Sequence, residues 1–252
     1  HPVDRRQRQM CIRDSILTGL LGFILERTFL RPMVGEPVFS VAVLTIGIDI
    51  LLRVVLDNWI GINPKYMGDP FPSYGNFGSL DIGGLTVKYL EVTALITSLV
   101  LISILSVFFK RSKYGVAMRA TSLDQEAALA QGINVGRVFG LVWFIAGLLA
   151  AFAGFFITGG FNTLTNTSFI SALRALPAVV IGGLDSITGA IIGSLIIGLT
   201  QAYVGYYQFD IESAYNIKLG NGFSIVAPYL IMFVILLVKP HGLFGTEEVE
   251  RV

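Results

Sequence analysis

The chain has 252 residues, of which 54% are hydrophobic and only 14% are charged, and its mean hydropathy is +0.72. This composition excludes an ordinary soluble domain, because one aqueous core cannot hide so much apolar surface. The net charge of +1 provides no global field for binding nucleic acid, and the single cysteine, Cys11, excludes an internal disulfide.

The amino-terminal residues differ in character from the rest of the chain. The stretch HPVDRRQRQMCIRDS is not typical of a signal peptide, because no adequate apolar region follows its arginines. We interpret residues 1–15 as a foreign or misread segment joined to a single transmembrane domain over residues 16–252. The apolar stretch 16–25 is about half of the roughly 20 residues that a span needs, which predicts an N-terminally truncated protein.

Long neutral stretches along the remaining chain predict transmembrane helices. The apolar runs are continuous and do not alternate with period two, which favours helices over a barrel. We therefore predict an all-α fold, a polytopic transmembrane helical bundle. Its membrane segments are predicted at 16–25 (truncated), 37–57, 90–109, 137–157, 169–184 (short), 187–206 and 221–238.

The basic residues of the short loops predict the orientation of these segments. The loop 110–136 is assigned to the cytoplasm because of its cluster of positive charges, Lys110, Arg111, Lys113, Arg119 and Arg137. Alternation then places the Arg27/Arg31 loop and the tail from Lys239 on the cytoplasmic side. The outer side receives the loops 58–89, 158–168 and 207–220, and LDIGGLTV at 80–87 predicts a β-hairpin that turns at Gly83-Gly84.

The cytoplasmic loop carries the signals of a short helix. Thr121 is a candidate N-cap with Asp124 completing a capping box, and residues 125–131 favour helix. Gly132 is placed to end this helix in a left-handed turn, and Asn134 can cap the next one. A rigid helix between two spans suits mechanical coupling to a partner protein, although an interfacial connector would have the same pattern.

Three further features lie within the predicted spans. Segment 169–184 contains Pro177 and Gly182-Gly183, which predicts either a broken helix beside a cavity or an ordinary kinked span. The next segment has a small-xxx-small face that favours close helix packing, formed by Gly189 and Gly193 and extended by Ser194 and Gly198. Asp49 and Arg53 are one helical turn apart and predict an ion pair.

Three ordered motifs resemble the LivH-type permeases of branched-chain amino acid ABC transporters. The first is in the cytoplasmic loop: Arg119-Ala120, Asp124, Ala128, Gly132-Ile133-Asn134 and Arg137-Val138. The second is ALRALPAVVIGGLDSITGAIIGSLIIGLTQA at 172–202, and the third is the ending with Lys239-Pro240, Gly242-Leu243-Phe244-Gly245 and EVERV. The resemblance covers about residues 16–252, and Asp185 departs from it, since the family usually has a small residue there.

The resemblance implies a type II-like ABC importer permease in the bacterial cytoplasmic (inner) membrane with a cytoplasmic C-terminus. It implies that this chain works with ABC ATPase subunits, a second permease subunit, a periplasmic or extracellular substrate-binding protein and membrane lipid. The ATPase-coupling residues would be Arg119, Ala120, Asp124, Glu126, Ala128, Gly132 and Ile133. A tentative substrate path would include Arg174, Pro177, Gly182 and Gly183, where Arg174 could attract a substrate carboxylate, stabilise bent backbone or snorkel outward.

Other function classes have weaker support in the sequence. The chain lacks the pattern G-x-x-x-x-G-K-[ST], so we expect ATP hydrolysis on a partner chain and no cofactor in this one. No catalytic constellation or metal-ligand spacing is present, which argues against an enzyme. A permease of the same architecture for a sugar or other small solute remains open, whereas an ion-coupled secondary transporter would need paired broken helices and an acidic relay.

Overall fold

The computed structural model describes residues 2–33, 38–61, 63–66, 79–82, 85–161, 163–164, 173, 175–183, 186–215, 220 and 222–245. The chain divides into two compact units, residues 1–166 and 167–252, and each is described by itself. Within the described ranges the structure is dominated by α-helices, as the composition predicts.

The helices follow one another along the chain with short connections. Unit 1 contains α1 (Pro2–Leu25), α2 (Val38–Ile60), α3 (Tyr89–Arg111), α4 (Lys113–Leu123), α5 (Gln125–Ala130) and α6 (Val135–Phe161). A π-helical turn, Glu26–Leu30, and a 3-10 turn, Arg31–Met33, follow α1 directly. Unit 2 contains α7 (Ala175–Gly182), α8 (Ile187–Tyr215) and α9 (Phe223–Val238).

Four helices within the described residues are long and apolar enough to cross a membrane, which confirms the predicted polytopic helical fold. They are Phe39–Trp59, Tyr89–Arg111, Val135–Gly159 and Ile187–Ala214, and α9 is a shorter apolar helix. The truncated span predicted at 16–25 forms the end of α1, whose helical conformation begins at Pro2. Residues 2–15, interpreted as foreign from the sequence, thus form the first part of that helix.

Short β-strands organise the connections that follow α2 and α6. The predicted hairpin is confirmed: β2 (Ser79–Ile82) pairs antiparallel with β3 (Leu85–Lys88), while its turn residues 83–84 lie outside the described residues. A second pair joins β1 (Lys65–Tyr66) to β4 (Thr163–Leu164). The segments that leave α2 and α6 therefore lie on the same face of unit 1, as the predicted alternation of spans requires.

Glycines bring α1 and α6 into close contact in unit 1. A Cβ added at Gly22 would lie 2.6 Å from the Trp143 carbonyl oxygen, and one at Gly147 would lie 2.6 Å from the Thr18 carbonyl oxygen. Neither backbone could yield easily to an added side chain. Because apolar side chains gain little by leaving lipid, such close backbone packing is how membrane helices associate.

Unit 2 is built around the short helix α7. Ile181 of α7 is fully buried, and it forms a core with Ala178 of the same helix and with Ile197 of α8. The prediction of an outer loop from residue 207 is wrong in part, because α8 continues to Tyr215. Gln208 stabilises this extension: its buried Nε2 donates hydrogen bonds to the Gly220 carbonyl oxygen at 2.6 Å and to Glu212 Oε1 at 3.0 Å.

The long helices α2 and α3 are largely apolar on the outside, and several of their polar side chains bond within the helix. Leu, Ile and Val side chains along α2 and α3 are exposed, as expected for helices that contact lipid or another subunit. The predicted pair is confirmed, since Arg53 Nε and Nη2 donate to Asp49 at 2.8 and 3.0 Å. The Ser98 and Ser103 hydroxyls each donate to a carbonyl one turn earlier, which lowers the cost of placing them in lipid.

Candidate functional site

The candidate site is the hairpin formed by α4 and α5 between the ends of α3 and α6, here called the coupling hairpin (residues 112–134). Its entry is a sharp bend at Ser112, whose Oγ accepts a hydrogen bond from the Tyr114 N–H at 3.1 Å. Gly115 is buried beneath α3, and an added Cβ would lie 2.7 Å from the Phe108 carbonyl oxygen. The absence of a side chain at Gly115 therefore allows α4 to fold back closely on α3.

Asp124 joins the two helices of the hairpin. It is the C-cap of α4 and the N-cap of α5, in an extended conformation with φ −157 and ψ 112. Its Oδ1 accepts a hydrogen bond from the Ala127 N–H at 2.9 Å. The carboxylate thus satisfies a backbone donor that would otherwise be unpaired at the start of α5.

The predicted capping box is wrong at its first residue. Thr121 lies inside α4, where its Oγ1 donates to the Ala117 carbonyl oxygen at 2.8 Å. The prediction started a helix at Thr121, but the helix had already begun at Lys113, so the Thr121 hydroxyl uses the carbonyl of the preceding turn. The coupling hairpin consequently has two helices, where the sequence predicted one.

The exit from the hairpin has the predicted form. Gly132 adopts the left-handed conformation with φ +80, which is unstrained for glycine because it lacks a Cβ. The Ile133 N–H donates to the Ala128 carbonyl oxygen at 3.0 Å and closes the end of α5. Asn134 Oδ1 then accepts from the Arg137 N–H at 3.0 Å and caps α6, as predicted.

The predicted coupling residues divide into exposed and buried groups. Arg119, Asp124, Glu126 and Gly132 are exposed, and Ala120 and Ile133 are half-buried. Ala128 is only 3% exposed, so the expectation that it contacts a partner needs correction. Its methyl group is buried within this chain, so the Ala128 side chain offers almost no surface for direct contact with a second protein.

Two apolar residues at the tip of the hairpin are not among the coupling residues that the sequence predicts. Leu123 is 87% exposed at the end of α4, and Leu129 is 57% exposed on α5. The helical period could have indicated them, because it places Leu123 and Leu129 on other sides of their helices than the buried Thr121 and Ala128. Together with Asp124 and Glu126 they give the tip an apolar surface with acidic groups, while basic residues lie nearer the spans.

The predicted substrate-path residues lie elsewhere, in unit 2. Arg174 and Asp185 are outside the described residues. Pro177 is buried in α7, and Leu173, four residues earlier, is also helical. Pro177 has no N–H to donate to the Leu173 carbonyl oxygen, which instead accepts a hydrogen bond from the Tyr229 hydroxyl at 3.0 Å. The assignment of Pro177 to the substrate path stays a prediction.

Gly182 and Gly183 lie at close backbone contacts, and their assignment to the substrate path stays a prediction. Gly183 has φ +99, and an added Cβ would lie 2.5 Å from the Gly245 backbone nitrogen. The tail after α9 pairs with the end of α7, since the Phe244 N–H donates to the Gly182 carbonyl oxygen at 3.1 Å. The second and third sequence motifs therefore meet in space at this contact.

The glycines of α8 differ in their surroundings. Added Cβ atoms at Gly189 and Gly193 would collide with the backbone of Gly182 and of Ala178 in α7. By contrast, an added Cβ at Gly198 would meet nothing within 4 Å. Close helix approach in unit 2 is thus made by Gly189 and Gly193 and does not extend to Gly198.

The part of the chain that the structure describes contains no group of three His, Cys, Asp or Glu side chains that could hold a metal ion. What it does contain is a set of apolar helices long enough to span a membrane, with a capped polar hairpin between two of them. Those features are those of a multi-pass membrane protein.

The family is shown by comparison with known proteins. Residues 13–238 match the family model described as branched-chain amino acid transport system / permease component, and the chain belongs to this family. Membership makes it a permease component, which is not itself catalytic. No solved structure matches the chain.

Curated relatives carry the same class of name. The chain is 26% identical over 238 residues to the high-affinity branched-chain amino acid transport system permease protein BraD of Pseudomonas aeruginosa, covering 94% of this chain and 74% of the relative. It is 29% identical over 243 residues to the corresponding LivH of Salmonella typhimurium, with the same coverage. The galactose/methyl galactoside import permease protein MglC of Escherichia coli is 25% identical, over 81% of this chain and 62% of the relative. This weaker similarity does not favour a sugar permease.

Proposed function

We propose that this chain is the membrane-embedded permease subunit of an ATP-driven importer of branched-chain amino acids. The proposed cargo rests on the relatives BraD and LivH, which are named as permeases of branched-chain amino acid transport systems. Their similarity to this chain extends over nearly its whole length. The energy would come from ABC ATPase subunits on separate chains, and the cargo from a periplasmic or extracellular binding protein. A second permease subunit would complete the path in the bacterial cytoplasmic membrane.

The observation that carries the coupling proposal is the exposed tip of the coupling hairpin. Leu123 and Leu129 expose apolar side chains to solvent, although each helix is fixed at both ends by hydrogen-bonded caps. A rigid element with an apolar tip fits a groove on a partner protein and would transmit the partner's movement to α3 and α6. Exposed Asp124 and Glu126 would meet basic groups around that groove.

The proposed orientation puts the hairpin and the C-terminus in the cytoplasm. Lys110 and Arg111 end α3, and Arg137 begins the next long helix, so positive charge borders the hairpin on both sides. In unit 2, the tail after α9 contacts the turn after α7, and both would lie on the cytoplasmic face under the proposed alternation. The eight residues of α7 span only about 12 Å, so this helix alone would not cross the membrane.

The test separates the charge of Asp124 from its role as a helix cap. Asp124→Asn keeps an oxygen for the Ala127 N–H, whereas substitution by Lys would remove both the charge and the cap. We expect Leu123→Ser and the pair Asp124→Asn with Glu126→Gln to weaken ATPase binding roughly tenfold or more, with unchanged membrane insertion. The measurements are ATPase copurification and leucine uptake in cells that lack their own transporter.

A matched control is Ser122→Ala, because Ser122 is also exposed beside the tip but its hydroxyl donates to the Arg119 carbonyl within α4. It should leave both measurements unchanged. Full ATPase binding and full uptake by the Leu123 variant would remove the coupling assignment. Normal coupling without uptake of leucine, isoleucine or valine would leave the permease role and refute the cargo.

For the substrate path, the tentative residues Arg174, Pro177, Gly182 and Gly183 stay proposed, and Arg174 is the one chosen for a test, on its sequence position alone. A cationic side chain within an apolar segment suits the carboxylate that every amino acid carries. We expect Arg174→Ala to raise the KM for uptake more than it lowers the maximal rate. Unaltered uptake kinetics would exclude contact with the substrate.

A further inference from the structure

Glu26 is a buried carboxyl group that lies outside the coupling hairpin and has no role in the coupling proposal. The residue is 2% exposed, and among the residues that the structure describes its Oε1 has no hydrogen-bond partner. It lies just beyond the apolar stretch 16–25, and burial raises the pKa of Glu26 while the charges of Arg31 and Arg27 partly oppose that effect. A buried polar atom without a partner is destabilising, so stability does not account for Glu26.

The backbone at Glu26 is a π-helical turn. The Arg31 N–H donates to the Glu26 carbonyl oxygen, which closes a turn of five residues where an α-helix would close one of four. Such a turn brings residues five positions apart onto one side of the helix, and π-turns occur frequently at functional sites. Glu26 and Arg31 therefore both face α6.

The first turns of α6 leave space for these two side chains. A Cβ at Gly136 would lie 2.7 Å from Arg31 Cζ, and a Cβ at Gly140 would lie 2.6 Å from Phe23 Cε2 and 3.4 Å from Glu26 Oε2. These two glycines are one turn apart, so they form a groove along α6. The carboxyl group of Glu26 thus lies at this groove with its Oε2 toward Gly140, and the unpartnered atom is the other oxygen of the same group, Oε1.

The groove lies at the end of α6 that receives the coupling hairpin. Gly136 is the second residue of α6, and the cap residue Asn134 connects α6 to α5 through Gly132. A displacement of the hairpin would therefore reach Gly136 and Gly140 before the rest of α6. Glu26 and Arg31 belong to the turns that follow α1, residues 26–33, here called the α1 segment, and their polar side chains lie against those turns of α6.

We propose that Glu26 and Arg31 are positioning residues of the transport cycle, which hold the start of α6 against the end of α1 so that hairpin movement reaches α1. The inference rests on the proposed function, in which the hairpin receives the movement of an ATPase. The free Oε1 marks a contact that is completed when α6 shifts, because a shift changes which backbone groups face the carboxyl. Two arrangements of one packed contact are the kind of element through which coupling operates.

The first test uses the assembled transporter in proteoliposomes and the variant Glu26→Gln, which keeps the size of the side chain. Uptake and ATP hydrolysis are measured on the same sample. We expect uptake per ATP hydrolysed to fall roughly two- to thirtyfold while hydrolysis continues, the range found for residues that alter coupling between sites. An unchanged ratio, including an equal loss of both activities, would overturn the proposal.

The second test does not depend on the identity of the cargo. In a Cys11→Ser background, spin labels at Thr28 and Gln131, which are both exposed, report the distance between the α1 segment and the hairpin. We expect a narrow distribution for the otherwise unchanged transporter with and without nucleotide, and a broader one for Glu26→Gln. An equally narrow distribution in that variant would refute the inference even if another solute proved to be the cargo.

The matched control for both tests is Glu91→Gln, which removes an exposed carboxylate from the first turn of α3 in the same unit. It should change neither the coupling ratio nor the distance distribution. If the complex that carries Glu26 intact takes up no branched-chain amino acid, the proposed cargo fails, while the distance measurement still decides the role of Glu26.

Discussion

Glycines line the closest helix contact in each unit, but they do different things there. In unit 2, Gly182, Gly189 and Gly193 bring backbone against backbone, so that α7 and α8 touch without side chains between them. In unit 1, Gly22 and Gly147 also bring backbone against backbone, but Gly136 and Gly140 at the start of α6 make room for the side chains of Arg31, Phe23 and Glu26. The same residue type thus closes a backbone contact at one place and leaves room for side chains at another, which teaches that a small-xxx-small pattern specifies proximity and leaves the chemistry to the facing helix.

The largest expected effect is at Gly193 of α8. Gly193→Val would force a side chain against the Ala178 backbone, which cannot move aside, and we expect a loss of about 3 kcal/mol in the free energy of unfolding. Thermal unfolding in detergent measures it. The control is Gly198→Val in the same helix, which meets nothing within 4 Å; equal losses in both variants would contradict the role of backbone contact.

A smaller loss is expected at Gly136 of α6. Gly136→Val would displace the Arg31 side chain, which is long and flexible, so the cost should be about 1–2 kcal/mol. Gly154→Val, in open space on the same helix, provides the baseline. If Gly136→Val proved as harmful as Gly193→Val, the distinction between the two contacts would be lost.

Gly132 represents a third use of glycine, since its added Cβ would meet nothing but its φ is +80. Gly132→Ala should therefore cost about 1 kcal/mol through backbone conformation alone. Gly132→Asn should cost less, because asparagine tolerates the left-handed region better. Hydrogen exchange of the α5 amides provides the measurement, and equal protection in both variants and the unaltered chain would be inconsistent with this explanation.

The smallest effect concerns the pH dependence of stability at Glu26. Burial raises the pKa of Glu26 above its ordinary value of 4.5, so the folded state binds the proton more tightly than the unfolded state does. Stability should then fall as the pH rises from about 4.5 through the raised pKa. The charged groups around the carboxyl are Arg31 and Arg27, while the facing turns of α6 contribute Gly136 and Gly140 and carry one charge, the exposed Arg137.

Glu26→Gln removes this titration. The difference in melting temperature, variant minus unaltered chain, should therefore increase between pH 5 and pH 8. The reason is that only the unaltered chain acquires a buried negative charge as the pH rises. A difference that stays constant or shrinks across this range would show that Glu26 is as well solvated in the folded state as in the unfolded one.

Several parts of the site could be predicted because their signals are local. Gly132 and Asn134 end one helix and begin the next through bonds within a few residues, and the Asp49–Arg53 pair needs only one helical turn. Thr121 was misassigned for the opposite reason. Its hydroxyl bonds to a carbonyl of a helix that had begun eight residues earlier, and no signal within the capping motif reveals that start.

By itself the sequence determined that this chain crosses a membrane several times, that its helices fall at the apolar stretches, and that a polar loop with a short helix connects two of them. Continuous hydrophobicity and helix caps are properties of single segments, so they can be predicted without knowing which other helices a segment contacts. Only the tertiary structure decided that the Gly182-Gly183 turn packs on the tail at Gly242–Gly245, and that Glu26 faces the glycine groove of α6. Those contacts depend on which helix lies opposite each small residue, and a sequence of small residues does not specify what fills the space that they leave.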